Sequence, residues 1–485
     1  MSIQSAWQLS FDFLGRLPVI VEPAQAQLSS DGGLAPIIQF DKRIGFSAAF
    51  AGVLHDARDP DRIDHSVHEM FRSRLFGILS GYEDQNDHDT LRSDPMFKLV
   101  AGRSPADDPL ASQPTLSRFE NQVSVADLKR LGDVLLEKFL DSFETIPHRL
   151  TFDLDAVDDP AHGEQQLVLF HAYYEQHQYL PLLISNEETG QFVCVSLRPG
   201  NVHASLGADD DLERVVTAVR RRRPDVEIVV RGDCGFGVPA MYRVCERLGL
   251  TYTFGIGGNS ALKAQTESLL EEAKRRYEET GEKQRLFQAF SYRAGSWDRE
   301  RIVVAKVECH ENGTNRRFVV TNRAGATILP EGAYDEYVMR GESENRNKEI
   351  KVDLAMDRLS DHRFMANLFR LYLHAAAHNL LAQLRLSVRE PQAPSPVDGV
   401  PVEALAGKAR RDHQRRFRER DPLGKGQPCT WRTRLIKVAA EVQVSTRRVL
   451  VRLAANWPYL NLYKRVADHV QRLAAAEVAS QAPPT

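Results

Sequence analysis

Apolar residues change their spacing along the chain, and each spacing predicts a different element. Up to residue 145 they recur every three or four positions, in SAAFAGVLHD, VHEMFRSRLFGILSGYED and SQPTLSRFENQVSVADLKRLGDVLLEKFLDSF, as in helices that bury one face. Thr115 or Ser117 is positioned to cap the start of the last segment. HRLTFDLDAVDD then alternates at period two and breaks at Asp158, Asp159 and Pro160, which predicts a strand ending in a turn. Further strands are expected at Gln166–Tyr173, Tyr179–Ser185 and Phe192–Leu197. ADDDLERVVTAVRRRR follows, with acids in its first turn and arginines in its last, the order a helix dipole favours. VEIVVRGD and TYTFGIG read as buried strands flanking the helix PAMYRVCERLG; this alternation predicts parallel strands joined by crossover helices.

Between 259 and 332 a charged helix, ESLLEEAKRRYEETGEK, gives way to alternating segments (FQAFSYRAG, RIVVAKVEC, RRFVVTNR), which predict a β-rich insertion. YDEYVMRGESENRNKEIKVDLAMDRL reads as a helix, and FMANLFRLYLHAAAHNLLAQL is apolar around its whole circumference, as a buried helix is. The expected organisation is a helical N-terminal domain at 1–145 and an α/β core at 146–258 and 333–387, interrupted by the insertion at 259–332. A proline-rich linker at 388–405 then leads into a basic segment at 406–485.

Composition adds that the chain folds. With 485 residues, 42% hydrophobic and 27% charged, it matches ordinary globular proteins rather than disordered ones. The net charge of −3 is unevenly spread: residues 401–485 carry 17 Lys and Arg against 7 Asp and Glu, a net of +10. Arg410, Arg411, Arg415, Arg416, Arg418 and Arg420 form one cluster; Arg432, Arg434, Lys437, Arg447, Arg448 and Arg452 form another. Clusters of this kind neutralise phosphates and release counterions. The cysteines, Cys194, Cys234, Cys245, Cys309 and Cys429, are scattered and form no C-x-x-C pair, which points to a reducing compartment rather than a disulfide framework. The apolar run Leu371–Leu384 is too short and too polar to span a bilayer, and the N-terminus lacks a secretory pattern. No membrane association and a cytoplasmic location are expected.

An aspartate on the first strand and another just beyond the fourth, in a meander that feeds parallel strand–helix units, resemble the ribonuclease-H-like nucleotidyl transferases. The expected fold class is therefore α/β: a ribonuclease-H-like mixed sheet with flanking helices, the β-rich insertion preceding the last catalytic helix. The candidate acids are Asp153 or Asp155, Asp233 in RGDCGF, and Glu344. Asp153 and Asp155 share one face of the strand; Asp155, nearer its end, is preferred. Three carboxylates suit hard, oxygen-seeking cations such as Mg²⁺, and a pair of such ions can clamp the attacking and leaving oxygens of a phosphodiester.

Tyr337, Arg340, Glu344 and Lys351 are spaced Y-x2-R-x3-E-x6-K, so that one continuous helix would present all four on one face. This spacing resembles the DDE transposases of bacterial insertion sequences in the IS4-like group, where it surrounds the catalytic glutamate. DAVDDPAHGEQQ, YLPLLISNEETG, LRPGN, RGDCGF, SWDRERIVVAKVE, RFVVTNR, VSTRRVLVRLA and GYEDQNDHDTLRSDPMFKL are similar to the IS1380 transposase family over nearly the whole chain. One departure is Val157, where threonine often follows the first acid by two residues.

The resemblance implies a bacterial DNA transposase that holds two Mg²⁺ ions, or Mn²⁺ in their place, on Asp155, Asp233 and Glu344. It would cut at terminal inverted repeats as a homodimer on double-stranded DNA and join the 3′-OH ends to target DNA. Tyr337, Arg340 and Lys351 would hold phosphates near the scissile bond. Arg410, Arg411, Arg415, Arg416, Arg447 and Arg448, with the N-terminal domain, would bind the ends. Trp297 is read first as a core residue and second as an aromatic stacked on a flipped base. A nuclease of the same fold without strand transfer, and a non-catalytic DNA-binding derivative, are the alternative readings.

Overall fold

The computed structural model describes residues 7–13, 17–323, 328–389, 423–424 and 426–481. Its centre is a mixed sheet of eight strands: β1 (Arg149–Ala156), β2 (Leu182–Asn186), β3 (Phe192–Ser196), β4 (Glu227–Gly232), β5 (Thr251–Ile256), β6 (Gln284–Tyr292), β7 (Arg301–His310) and β8 (Gly313–Thr321). Across the sheet the order is β6-β7-β8-β5-β4-β1-β2-β3. β1, β4 and β5 run parallel, whereas β2, β3 and the β6–β8 meander pair antiparallel. Two helices supply the crossovers between the parallel strands, one between β3 and β4 (Ala208–Arg222) and one between β4 and β5 (Pro239–Arg247). The first of these keeps its three aspartates in the opening turn and its arginines in the closing one.

The period-two pattern of β1 sorts its side chains cleanly. Leu150, Phe152 and Leu154 enter a core shared with the two crossover helices and the alternate residues of β4, β5, β7 and β8. Thr151, Asp153 and Asp155 therefore take the opposite face. Helix α1 (Pro330–Val338) covers part of that face, where Ala333 and Tyr334 pack on Val304 and Val319. Helix α2 (Gly341–Lys348) follows, then a π-helical turn at Glu349–Asp353 and the long helix α3 (Phe364–Val388), which is buried along most of its length as its composition predicts.

The segment 259–332 holds β strands as expected, and they add to the central sheet: β8 pairs with β5, and Trp297, Val303, Ala305, Phe318 and Val320 join the core of that sheet. Two expectations are corrected. Residues Gln166–Tyr173 lie outside the central sheet; Leu169–His171 pairs with Gln176–Tyr179 in a small three-stranded sheet. Neither Thr115 nor Ser117 caps a helix. The helix there starts after Ser112, and Ser124 caps the next one (Val125–Leu140) in a box with Asp127.

The C-terminal segment does not stand apart from the N-terminal one. Strand Ala440–Val444 pairs with Leu28–Ser29, Lys437 donates to Asp31 at 2.7 Å, and Trp431, Leu435, Val466 and Val470 are buried in one core with the N-terminal helices and α3. Packing therefore crosses the boundaries expected at 145 and 406. The linker at 388–405 falls almost wholly outside the described residues, as do Arg410, Arg411, Arg415, Arg416, Arg418 and Arg420. Among the described residues no helix is long and apolar enough to cross a membrane.

Candidate active site

The two aspartates of β1 that share a face have different surroundings. Asp153 is buried, and its carboxylate is gripped by Arg231 (Nε 2.7 Å, Nη2 2.9 Å), with Arg346 at 3.4 Å. The same Arg231 donates to the Glu336 carbonyl at 3.0 Å and pairs with Glu187 at 2.9 Å, while Arg346 donates to the Glu187 carbonyl at 2.9 Å. Asp153 is thereby the centre of a neutralised network tying β1, β4, α1 and α2 together. With two guanidinium groups on it and no exposure to solvent, this carboxylate is engaged in structural pairing rather than presented to a ligand.

Asp155, one pleat further, reaches the end of the strand. It accepts a hydrogen bond from Asn347 (2.7 Å) and one from the Ala156 N–H (3.0 Å), with the Arg340 guanidinium at 3.5 Å. Burial and the negative charge of Asp233 nevertheless push its pKa up to about 6, against the pull of Arg340 and Asn347. Asp233 is level with it: Gly232 of β4 pairs with Leu154 of β1, and each aspartate is the next residue along. Neighbouring strands lie about 4.8 Å apart, so the two carboxyl groups emerge side by side. The Gly235 N–H donates to Asp233 at 2.8 Å, and a Cβ on Gly235 would come within 2.7 Å of Ala204 Cβ, so the turn that fixes Asp233 needs glycine there.

Tyr337, Arg340, Glu344 and Lys351 do not lie on one uninterrupted helix as their spacing predicts. The helix breaks at Met339 and Arg340, with Ser343 Oγ donating to the Arg340 carbonyl at 2.8 Å, and a π-helical turn follows at Glu349. Tyr337 sits at the end of α1; a Cβ on Gly255 would lie 2.9 Å from its hydroxyl and 3.0 Å from the Cys234 nitrogen. Glycine in β5 thus lets the phenol approach the backbone beside Asp233. Arg340 lies 5.9 Å from the centre of the Tyr337 ring and also stands 3.5 Å from Glu344, whose side chain is 60% exposed. Lys351 is turned to Asp158 at 2.7 Å.

One guanidinium therefore lies between Asp155 and Glu344. Among the described residues, no three carboxylate, imidazole or thiolate groups are gathered closely enough to hold a metal ion. The donor set still suits a divalent cation: Asp155, Asp233 and Glu344 offer only hard oxygens, Asp155 is under-neutralised, and the Arg340 cation already stands where two of the three converge.

Trp297 takes its first reading. It is buried, edge-on to Tyr242 (5.2 Å) and Tyr292 (5.5 Å), with the Arg301 guanidinium at 5.7 Å. Arg447 and Arg448 are exposed at the tip of the hairpin between Ala440–Val444 and Val449–Leu453. Sequence reasoning overlooked Asn347, Arg231 and Arg346. Asn347 and Arg346 follow Glu344 by three and two residues, so the helical period alone would have turned Asn347 toward Glu344 and Arg346 away from it. Asp159, read as a turn residue, is fully buried with neither oxygen hydrogen-bonded, and burial together with the charges of Asp357 and Asp158 raises its pKa well above the usual carboxylate range.

The fold and site define an α/β protein with paired aspartates at the ends of two adjacent parallel strands and an arginine–glutamate pair brought over them by a helix. The model of the family Transposase DDE domain group 1 matches residues 12–395, and the chain belongs to that family. No curated protein matches the chain. Among solved structures it is similar to a cryo-EM structure of the piggyBac transposase synaptic complex with hairpin DNA, at 12% identity and a TM-score of 0.36, over 74% of this chain and 77% of that one. Membership of this family supports a transposase function and the use of divalent metal ions.

Proposed function

We propose that the protein is a DNA transposase of an insertion sequence, of IS1380 type with a ribonuclease-H-like core. It would cut at terminal inverted repeats and join the freed 3′-OH ends to target DNA. The observation that supports this most is the level placement of Asp155 and Asp233 at the ends of adjacent parallel strands, with Arg340 linking Asp155 to Glu344. The strand order from β3 through β2, β1 and β4 to β5, with β2 antiparallel to β1, is the arrangement expected of such a core.

Asp155, Asp233 and Glu344 would hold the metal, two Mg²⁺ ions with Mn²⁺ as a substitute. What those ions supply when bound is neutralisation of charge on the attacking and leaving oxygens of an in-line displacement. The protein's own contribution is positioning and electrostatics. Asn347 orients Asp155; Arg340, released from its carboxylates by DNA, places its planar donors on a phosphate; Tyr337 supports Arg340 through its ring. Lys351 holds a second phosphate once exchanged from Asp158. Water attacks the phosphorus at the transposon end and the P–O3′ bond breaks. The resulting 3′-hydroxyl then attacks the phosphorus of a phosphodiester in the opposite strand or in target DNA, forming a new P–O3′ bond while that strand's own P–O3′ bond breaks and its 3′-hydroxyl leaves. Arg447 and Arg448, Arg410, Arg411, Arg415 and Arg416, and the N-terminal helices would bind the ends of a synaptic complex made by two copies of the chain.

The test is to mix protein, labelled end DNA, Mg²⁺ and a target plasmid. Cleavage with joining to the plasmid, lost in Asp155→Asn, Asp233→Asn and Glu344→Gln, is the expected result. Cleavage without joining would identify a nuclease, and end binding without cleavage in Mg²⁺ or Mn²⁺ would identify a non-catalytic DNA-binding protein; either contradicts the proposal.

A further inference from the structure

The central sheet ends differently on its two sides. At the β3 edge the backbone is capped: Asn379 of α3 accepts from the Phe192 N–H at 2.8 Å and donates to the Phe192 carbonyl at 2.7 Å, as a neighbouring strand would. The other edge is β6, and among the described residues no strand pairs with its outer side. This edge is long and regular. All of Gln284–Tyr292 pairs with β7 in an unbroken register, from Gln284 opposite Cys309 to Tyr292 opposite Arg301. The segment QRLFQAFSY holds no proline or glycine and a single charge, Arg285. Soluble proteins blunt an edge of this kind with prolines, bulges, charged side chains or a covering element, because its free N–H and C=O groups are a template for another strand.

The side chains of β6 are also left half-covered on both faces. Phe287 and Ala289 lean toward Tyr334 of α1, while Leu286 and Phe290 lean on the opposite face of the sheet, and none of the four is buried. One more strand beside β6 would complete that cover.

The strand that fits best is β6 itself. Its residues are centred on Gln288, so a second copy laid antiparallel about that residue overlaps the whole strand. Phe287 then faces the second copy's Ala289, large against small, and Leu286 faces its Phe290. Arg285 faces its Ser291, whose hydroxyl donates to the exposed Glu300 at 2.7 Å, so a guanidinium arrives beside a carboxylate. The twofold axis makes each of these contacts twice. Apolar pairs and opposite charges placed directly across an antiparallel ladder are what stabilise it, and a self-complementary pairing of this kind closes at two copies.

We infer that two copies of the chain join along the free edge of β6, pairing antiparallel about Gln288 into one continuous sheet, without DNA. The pairing needs nothing from the transposase reading of the acids.

The experiment is size-exclusion chromatography with light scattering on the full chain, free of DNA, at micromolar concentration. Wild type is expected at twice the chain mass. Gln288→Lys and Gln288→Glu, each of which sets like charges face to face, are expected at one chain mass. An equimolar mixture of the two should recover the dimer, which misfolded variants could not do. Register is read by cross-linking in a Cys234→Ser background, since Cys234 is an exposed native thiol. Oxidised Gln288→Cys should form a disulfide-linked dimer, because residue 288 meets itself at a Cα separation of about 4.5–5.5 Å. Gln284→Cys, about 27 Å along the strand from its own counterpart, should not. Monomeric wild type would overturn the inference. So would a dimer that survives both charged variants, a mixture that stays monomeric, or equal cross-linking at 284 and 288. End cleavage by a monomeric wild type would remove the interface and leave the transposase reading in place; a dimer that behaves as expected but cuts no end DNA in Mg²⁺ would do the reverse.

Discussion

Asp153 and Asp155 differ by one pleat of one strand, yet they should respond to mutation in opposite ways. Removing the Asp153 carboxylate takes the bidentate partner of buried Arg231 and leaves it Glu187 and the Glu336 carbonyl; breaking a buried pair costs up to about 3–5 kcal/mol, so Asp153→Ala should lower the melting temperature by many degrees. Asp155 is the reverse case. Its pKa is raised in the fold to about 6, so the folded protein keeps a proton that the unfolded chain has already released. The stability this confers is complete below pH 4 and is lost as pH rises toward 6 and beyond. Asp155→Asn should accordingly stabilise the protein at pH 7.5, by up to about 3 kcal/mol, and leave it unchanged near pH 4. Thermal melts at both pH values check this, and equal effects at the two would contradict it. Mg²⁺ should raise the melting temperature of wild type and much less that of Asp155→Asn, since the ion would relieve the same unneutralised charge. The alternation of apolar and polar residues is enough to place both aspartates on one face of a strand. It could not tell them apart, because the groups that do so, Arg231 and Arg346, come from distant parts of the chain.

At the scale of elements, the strands and crossover helices of the core were readable because burial imposes their periods directly. What local pattern missed is partnership. The β6–β8 meander looks the same in sequence whether it forms its own sheet or adds to another, and the pairing of β8 with β5 that decides the matter is a contact between distant segments. The break in the helix at Met339 and Arg340 was hidden for a related reason: the Tyr337 to Lys351 spacing suits a straight helix, while the contacts of Tyr337 with β5 and of Glu349 with His378 (3.1 Å) and Arg385 hold the two ends separately. Trp297 gives the prediction that belongs here. As a core residue of the β6–β7 hairpin it should cost about 3–5 kcal/mol when cut to alanine, whereas Trp297→Phe should keep most of the stability and all of the end cleavage. Denaturant melts of the two variants check it; a Trp297→Ala protein as stable as wild type would contradict the packing described.

Over the whole molecule, the sequence sets a basic segment at 406–485 behind a linker, and the described part of that segment from residue 426 onward packs back into the N-terminal core. Lys437 and Arg432 serve Asp31 and the backbone carbonyls of Leu79 and Asp353, so they bind protein rather than project outward. Their basic character is visible in sequence; that it is used internally is not, since charge alone does not say what it faces. A chain ending at residue 389 would expose the apolar groups that Trp431, Leu435, Val466 and Val470 cover. It should lose cooperative unfolding and bind a hydrophobic dye, as followed by circular dichroism and dye fluorescence. A sharp melt close to that of the full chain would show the segment to be independent after all.

The central claim is that carboxylates from β1, β4 and α2 act together on a phosphodiester. The most direct measurement is strand cleavage and joining of labelled terminal-repeat DNA in Mg²⁺ by wild-type protein beside Asp153→Asn, Asp155→Asn, Asp233→Asn and Glu344→Gln, each first shown by thermal melt to be folded. The account predicts that Asp155→Asn, Asp233→Asn and Glu344→Gln bind the DNA yet lose both reactions, while any folded fraction of Asp153→Asn retains them. Full cleavage by Asp155→Asn or Asp233→Asn would contradict it.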